Sequence, residues 1–347
     1  MKRKFGLDLI RAFAIFFVIS VHFFLNINFY HTKITNIGFL PMIFLRTLFF
    51  TCVPLFLLLT GYLKRNKKIS KDYYIGIKKI IISYLFISII CIFFNKIYLH
   101  TPGGKAQAII SIFNFTADKY SWYIEMYIGL FLLIPFLNIL YSNLKTKENK
   151  KHLIATLLIL VSLSSVINYI KYKNIYLELI PNWWNQIYPI LYYFIGCYIG
   201  EYQIKINKKK GSILLILILA ITSLTLFIYN YNQSFSWNFL GEYSGLTTVI
   251  TSTLIFLLIY DIDIKNKNIK KTITSISIFS LDMYLFSYIT DKLIYTNITL
   301  PKSIKEYYYL YPIIVLISFT SSYLLSYLKQ KLFGLLSKNK KINKILN

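Results

Sequence analysis

The sequence predicts an all-α, polytopic integral membrane protein with about ten transmembrane helices and both termini in the cytoplasm. Three observations predict this class. Hydrophobic residues make up 56% and aromatic residues 18% of the 347 positions. Apolar runs recur at roughly the 20-residue length that crosses a hydrocarbon core. The Lys and Arg residues, 39 in all, gather in short segments between alternate runs. In a soluble chain a formal charge of +26 would suggest nucleic acid. Clustered at alternate span ends, the same charge is a topology signal, and no nucleic-acid partner is expected.

The spans are expected at roughly 5–29, 39–63, 74–98, 121–141, 152–170, 186–203, 212–231, 244–261, 273–295 and 307–328. Helices are expected throughout, because lipid offers no other partner to the backbone of an open chain. One set of connections holds Lys2 to Lys4, the lysines and arginine of 64–79, and the lysines of 145–151, 205–210 and 265–271. These mark the cytoplasmic side. The opposite connections carry Trp183, Trp184, Trp237 and several tyrosines, as an interfacial aromatic belt does. Residues 1–328 are expected to form one membrane domain, and residues 329–347 a solvated basic tail. The first run is longer than a signal-peptide h-region and no small-residue cleavage site follows it, so the first span is expected to stay in the mature protein. Cys52, Cys91 and Cys197 fall inside apolar runs with no metal spacing, so no metal site is expected. No internal repeat is visible, which counts against an inverted-repeat transporter.

The first span, LDLIRAFAIFFVISVHFF from Leu7 to Phe24, carries three groups that lipid disfavours: Asp8, Arg11 and His22. At about 100° per residue, eleven steps return to within roughly 20° of the start, so Arg11 and His22 share one helix face about 16 Å apart. Asp8 lies one turn before Arg11, close enough to pair with it. An arginine in mid-membrane costs about 2.5–3.5 kcal/mol on insertion scales, so a partner, a cavity or a function is expected for it. With the N-terminus inside, Arg11 stands near the cytoplasmic end and His22 in the outer half. Glu125, in the fourth span, is a further candidate: it would orient His22 or neutralise Arg46. Asp282 is expected to pair with a lysine or a hydroxyl, and Thr60-Gly61 to mark close helix packing rather than chemistry.

Taken together, several phrases resemble the integral-membrane acyltransferase-3 family. Arg11 and His22, with ten residues between them near the N-terminus, fit its signature. VPLFLLLTGYL at Val53 to Leu63 is similar to its second-span phrase. SWYIEMYIGLFLLIPFL at Ser121 to Leu137 resembles its Trp-Tyr span, and YYFIGCYIGEY at Tyr192 to Tyr202 its glycine-spaced later span. Many relatives carry a histidine just before the fourth-span tryptophan and another in the ninth span. This chain has Tyr120 and Ser121 at the first place and Ser287 at the second.

The resemblance implies transfer of an acyl group, usually acetyl from acetyl-CoA, to a hydroxyl of an extracytoplasmic glycan. A sugar hydroxyl needs a base as it attacks a thioester, and a neutral imidazole suits that role. His22 is the catalytic candidate, either as base or as acyl-carrying nucleophile. Arg11, with Asp8 orienting it, would hold coenzyme A phosphate or pantetheine groups. No tightly bound cofactor is expected; acyl-CoA is a substrate, and the partners are the glycan acceptor and the lipid bilayer. The location expected is a bacterial cell membrane, from the Lys-, Ile- and Asn-rich composition. The alternative from another class is a glycan or glycan-precursor transporter or flippase that forms no covalent product. A glycan polymerase would show a large outer loop rich in arginine and acids, and a scaffold would not explain the charged stripe.

Overall fold

The computed structural model describes residues 3–168, 171–172, 175–176, 178–237, 240–301 and 303–337. In chain order its α-helices are α1 (Phe5–Asn26), α2 (Leu40–Phe49), α3 (Cys52–Lys64), α4 (Lys71–Ile75), α5 (Lys78–Ile97), α6 (Lys105–Phe113) and α7 (Trp122–Asn143). They continue with α8 (Lys147–Leu158), α9 (Ser164–Ile167), α10 (Tyr188–Tyr202), α11 (Lys208–Tyr229), α12 (Leu246–Ile259), α13 (Lys267–Tyr295) and α14 (Ile304–Leu336). A π-helical turn, Ile159–Leu163, joins α8 to α9. The strands described are one antiparallel two-residue pair, β1 (Lys171–Tyr172) and β2 (Ile175–Tyr176).

Among the described residues, eight helical segments are long and apolar enough to cross a membrane: Phe5–Asn26, Ile37–Lys64, Lys71–Ile97, Trp122–Asn143, Lys147–Ile167, Lys208–Tyr229, Lys267–Tyr295 and Ile304–Leu336. Each falls on an expected span, so the all-α polytopic class stands. At the other two expected positions the helices are shorter, 15 residues in α10 and 14 in α12. The causes are local. A 3₁₀ turn, Asn182–Ile187, takes up the start of the α10 run, and Gln203 ends it in the left-handed region at φ 48°. Residues 329–336 continue α14, and Lys329 is buried; residues 338–347 lie outside the described residues.

Contacts divide the chain into two units. The first comprises Met1–Asn66, Leu137–Ser277 and Leu300–Tyr311. Its tightest crossing is α3 on α10, where a Cβ on Gly61 would lie 2.0 Å from the Tyr193 carbonyl oxygen and one on Gly196 2.1 Å from that of Leu58. Only glycine admits such an approach, which is the packing role expected of Thr60-Gly61. Across the same seam the Cys197 thiol donates to the Gly61 carbonyl at 3.4 Å. Gly6 does the same for α1, a Cβ there lying 2.4 Å from the Ile259 carbonyl oxygen at the end of α12.

The second unit comprises Lys67–Phe136, Ile278–Thr299 and Pro312–Asn347. Tyr73 stacks on Phe131 at 4.4 Å and donates to its carbonyl at 2.6 Å. Lys329 Nζ meets Asp282 Oδ1 at 2.5 Å, and Ser83 donates to the same oxygen at 2.9 Å. Asp282 thus has both kinds of partner the sequence suggests. Asp118 fixes the turn that leads into α7: it accepts from the backbone N–H groups of Tyr120 and Ser121 at 3.0 and 2.9 Å and from the Ser121 hydroxyl at 2.6 Å. An aspartate side chain that accepts from the N–H groups two and three residues on forms such a turn in place of backbone partners.

Candidate active site

The first unit holds Asp8, Arg11 and His22 on one rod. α1 is a single α-helix through all three, without an internal proline. Arg11 and His22 therefore lie on one stripe, about 16 Å apart along the axis. Their settings differ. Asp8 and His22 are buried, at 4% and 7% exposure, whereas the Arg11 side chain keeps 27%.

At the Arg11 end a compact charged cluster forms. Arg3 grips Asp8 with two bonds, Nε to Oδ2 at 2.5 Å and Nη2 to Oδ1 at 2.8 Å. The Ser277 hydroxyl of α13 donates to Asp8 Oδ1 at 2.6 Å and accepts from Arg11 Nη1 at 2.8 Å. Arg11 Nη1 lies 3.7 Å from Asp8 Oδ1, and Thr274 donates to Oδ2 at 3.4 Å. By accepting from it, Asp8 holds the Arg3 guanidinium above its ordinary range. Arg3 thus takes both carboxylate oxygens, and the Arg11 guanidinium is tied to the cluster through Ser277. A fork of this kind recognises phosphate.

The other end of α1 is aromatic. The His22 backbone carbonyl accepts from Asn26 Nδ2 at 2.8 Å. Beside His22, Phe23 meets Tyr311 edge-on at 5.4 Å and Phe24 meets Phe29 at 5.0 Å. Ser20, one turn back toward the centre, lies 3.3 Å from the Tyr311 hydroxyl. The helix stops soon after His22, because Asn28 takes the left-handed region at φ 64°, a conformation asparagine tolerates.

Glu125 belongs to the second unit, where its exposed side chain sits on the first turn of α7. A carboxylate there complements the positive end of the helix dipole. The positions where many relatives carry histidine are occupied by hydroxyls with local partners. Tyr120 donates to Asp291 Oδ2 at 3.0 Å, Ser121 to Asp118, and Ser287 to the Tyr284 carbonyl at 2.7 Å. Asp291 also accepts from Ser318 at 2.7 Å, completing a buried polar knot in the second unit.

Sequence reasoning missed Arg3 and Ser277 at the site. In the sequence Arg3 stands among the topogenic cations, five residues before Asp8. Nothing in the sequence links Ser277 to Asp8 across 269 positions. Among the described residues no group of three His, Cys, Asp or Glu side chains could hold a metal. The three cysteines are free and buried.

Apolar helices of spanning length, with an ion cluster and a buried imidazole on one of them, define a polytopic membrane protein built for more than anchoring. The chain belongs to the acyltransferase-3 family: its family model, described as an acyltransferase domain, matches residues 4–330, essentially the whole chain. The protein is therefore a membrane acyltransferase. No curated protein and no solved structure matches it.

Proposed function

We propose that this acyltransferase moves a short acyl group, acetyl in the first instance, from cytosolic acyl-CoA to a hydroxyl of a cell-surface or lipid-linked polysaccharide, in a bacterial cell membrane. The observation that carries the reading is the pair on α1: a guanidinium whose neighbouring carboxylate is gripped by Arg3, and a buried imidazole on the same stripe. His22 accepts the proton of the sugar hydroxyl as its oxygen attacks the thioester carbon. The C–S bond then breaks, the ester forms, and the coenzyme A thiolate takes up a proton to leave as the thiol. Arg11 grips phosphate or pantetheine oxygens of the donor, with Asp8 and Ser277 fixing its orientation. Glu125 is assigned a supporting part, for which Glu125→Gln slows transfer without abolishing it.

The test is transfer of radiolabelled acetyl from acetyl-CoA by the purified full chain to a bacterial polysaccharide acceptor. His22→Ala is expected to remain in the membrane with wild-type melting behaviour and to lose label transfer by about 10²-fold or more. Undiminished acetylation by that variant would remove the assignment. A transporter would move the glycan and leave no ester.

A further inference from the structure

A second cation of the first unit lies apart from the charged cluster of α1. Arg46, on α2, is 1% exposed and is the largest fully buried side chain of the described residues. Its Nε donates to the Tyr30 hydroxyl at 3.3 Å and its Nη1 to the Gly241 carbonyl at 3.1 Å. The guanidinium carbon lies 4.0 Å from the centre of the Phe50 ring, 5.4 Å from that of Phe235 and 5.8 Å from that of Tyr30. Among the described residues no carboxylate comes within 4.0 Å of it, and Nη2 has no hydrogen-bond partner.

This differs from ordinary charge burial. Removing a guanidinium from water is costly unless an anion answers it, and aromatic faces with neutral oxygens compensate only in part. Yet the surroundings are built to keep the cation in place. A Cβ on Gly241 would lie 3.0 Å from Arg46 Nη1 and 2.6 Å from the Trp237 carbonyl oxygen, so only glycine lets the loop bring its carbonyl this close. Phe50 is stacked flat on Tyr243 at 4.1 Å, and Tyr30 packs edge-on to Trp237 at 4.7 Å. Tyr30 and Tyr243 are half-buried and Trp237 is 39% exposed, so the rings around the cation keep surface that a ligand can reach. Glu242, the nearest acid in sequence, interacts with Ser244 at 3.4 Å, and burial holds its carboxyl above the ordinary carboxylate range. Tyr30 follows the end of α1 on which His22 stands, so the basin and the imidazole belong to the same end of the first unit.

We infer that the Arg46 basin binds an oxyanion, a sugar carboxylate or a sugar-linked phosphate, on the acceptor glycan, and thereby selects acidic over neutral acceptors. A planar two-oxygen anion matches the unengaged edge of the fork, and the aromatic rim offers ring faces to the apolar side of a pyranose. The inference rests on the acyl-transfer reading for the glycan nature of the occupant. The binding experiment does not.

The experiment uses the purified full-length chain in neutral detergent and follows tryptophan fluorescence and thermal unfolding. The probes are methyl β-glucuronide, glycerol 1-phosphate and methyl β-glucoside. Glucuronide or glycerol phosphate is expected to bind at least about tenfold more tightly than the neutral glucoside, as a charge-assisted pair requires. The stronger of the two identifies the oxyanion. Arg46→Gln is expected to erase that preference and Arg46→Lys to retain part of it, while His22→Ala keeps anion binding even though it abolishes transfer. Equal response to all three probes by the wild type overturns the inference, and that comparison holds even where Arg46→Gln fails to fold. Stabilisation by phosphatidylglycerol, with no response to either soluble anion, also overturns it, by making a lipid headgroup the occupant. Anion binding by a chain that shows no acyl transfer would overturn the enzymatic reading and leave the basin standing.

Discussion

The Ser277 hydroxyl stands between Arg11 and Asp8, accepting from the guanidinium at 2.8 Å and donating to the carboxylate at 2.6 Å. The direct Arg11 to Asp8 distance is 3.7 Å, longer than a charge-assisted hydrogen bond. A hydroxyl of α13 therefore helps to orient the α1 cation. Ser277→Ala leaves both groups short of a partner, and a loss of about 1–3 kcal/mol in unfolding free energy is expected. On the proposed acyl-CoA reading, a positioning role predicts that KM for the donor rises, with Ser277→Thr restoring it. A stability loss with unchanged KM would make Ser277 merely structural.

The α3 and α10 crossing is equally specific. Gly61→Ala puts a methyl group where the Tyr193 carbonyl stands, so helix separation costing about 1–3 kcal/mol or more is expected. Gly129, where a Cβ meets nothing within 4 Å, is the control. Gly129→Ala is expected to hold or raise the melting temperature, since alanine favours a helix interior by up to about 1 kcal/mol. Thermal unfolding in detergent separates the two.

Lys329 and Asp282 form a buried pair within the second unit, at 4% and 13% side-chain exposure. Removing one partner leaves a charge without its counterion, for which about 3–5 kcal/mol is typical. Lys329→Met is therefore expected to destabilise strongly. The double change Lys329→Met with Asp282→Leu is expected to recover most of the loss. A double-mutant cycle on melting temperature checks it; additive losses would show that the pair is not coupled.

Burial raises the Asp118 carboxyl above its ordinary 3.8, against the opposing effect of its bonds to Ser121 and Tyr120. The folded protein thus binds this proton more tightly than the unfolded chain. The contribution of this group to stability is fully present below about pH 3.8 and is lost as pH rises through the folded value. Asp118→Asn is expected to flatten that part of the profile relative to wild type. Asp118→Ala should cost about 1–3 kcal/mol by leaving the buried N–H groups of Tyr120 and Ser121 without their acceptor. Melting temperature against pH for the three proteins is the measurement.

Much of the fold was legible because a membrane narrows the choice. Apolar length, helix period and lysine placement each follow from the cost of exposing polar groups to lipid, so eight spans fall where the sequence puts them. The count was less legible. The 3₁₀ turn before α10 and the left-handed Gln203 after it shorten a run whose apolar composition is continuous. Lys329 shows the same limit. In sequence it heads a basic tail, and in space Asp282 holds it inside.

The sequence by itself determined the class of protein, the family, and the alignment of Arg11 with His22, because helix periodicity and hydrophobic length are local properties of the chain. Only the tertiary structure decided that Asp8 is gripped by Arg3, that Ser277 sits between it and Arg11, and that Arg46 has aromatic rings and a glycine carbonyl around it. Those partners lie up to 269 positions apart. A buried charge is satisfied by whatever group packing brings within hydrogen-bond reach, and no periodicity records which group that will be.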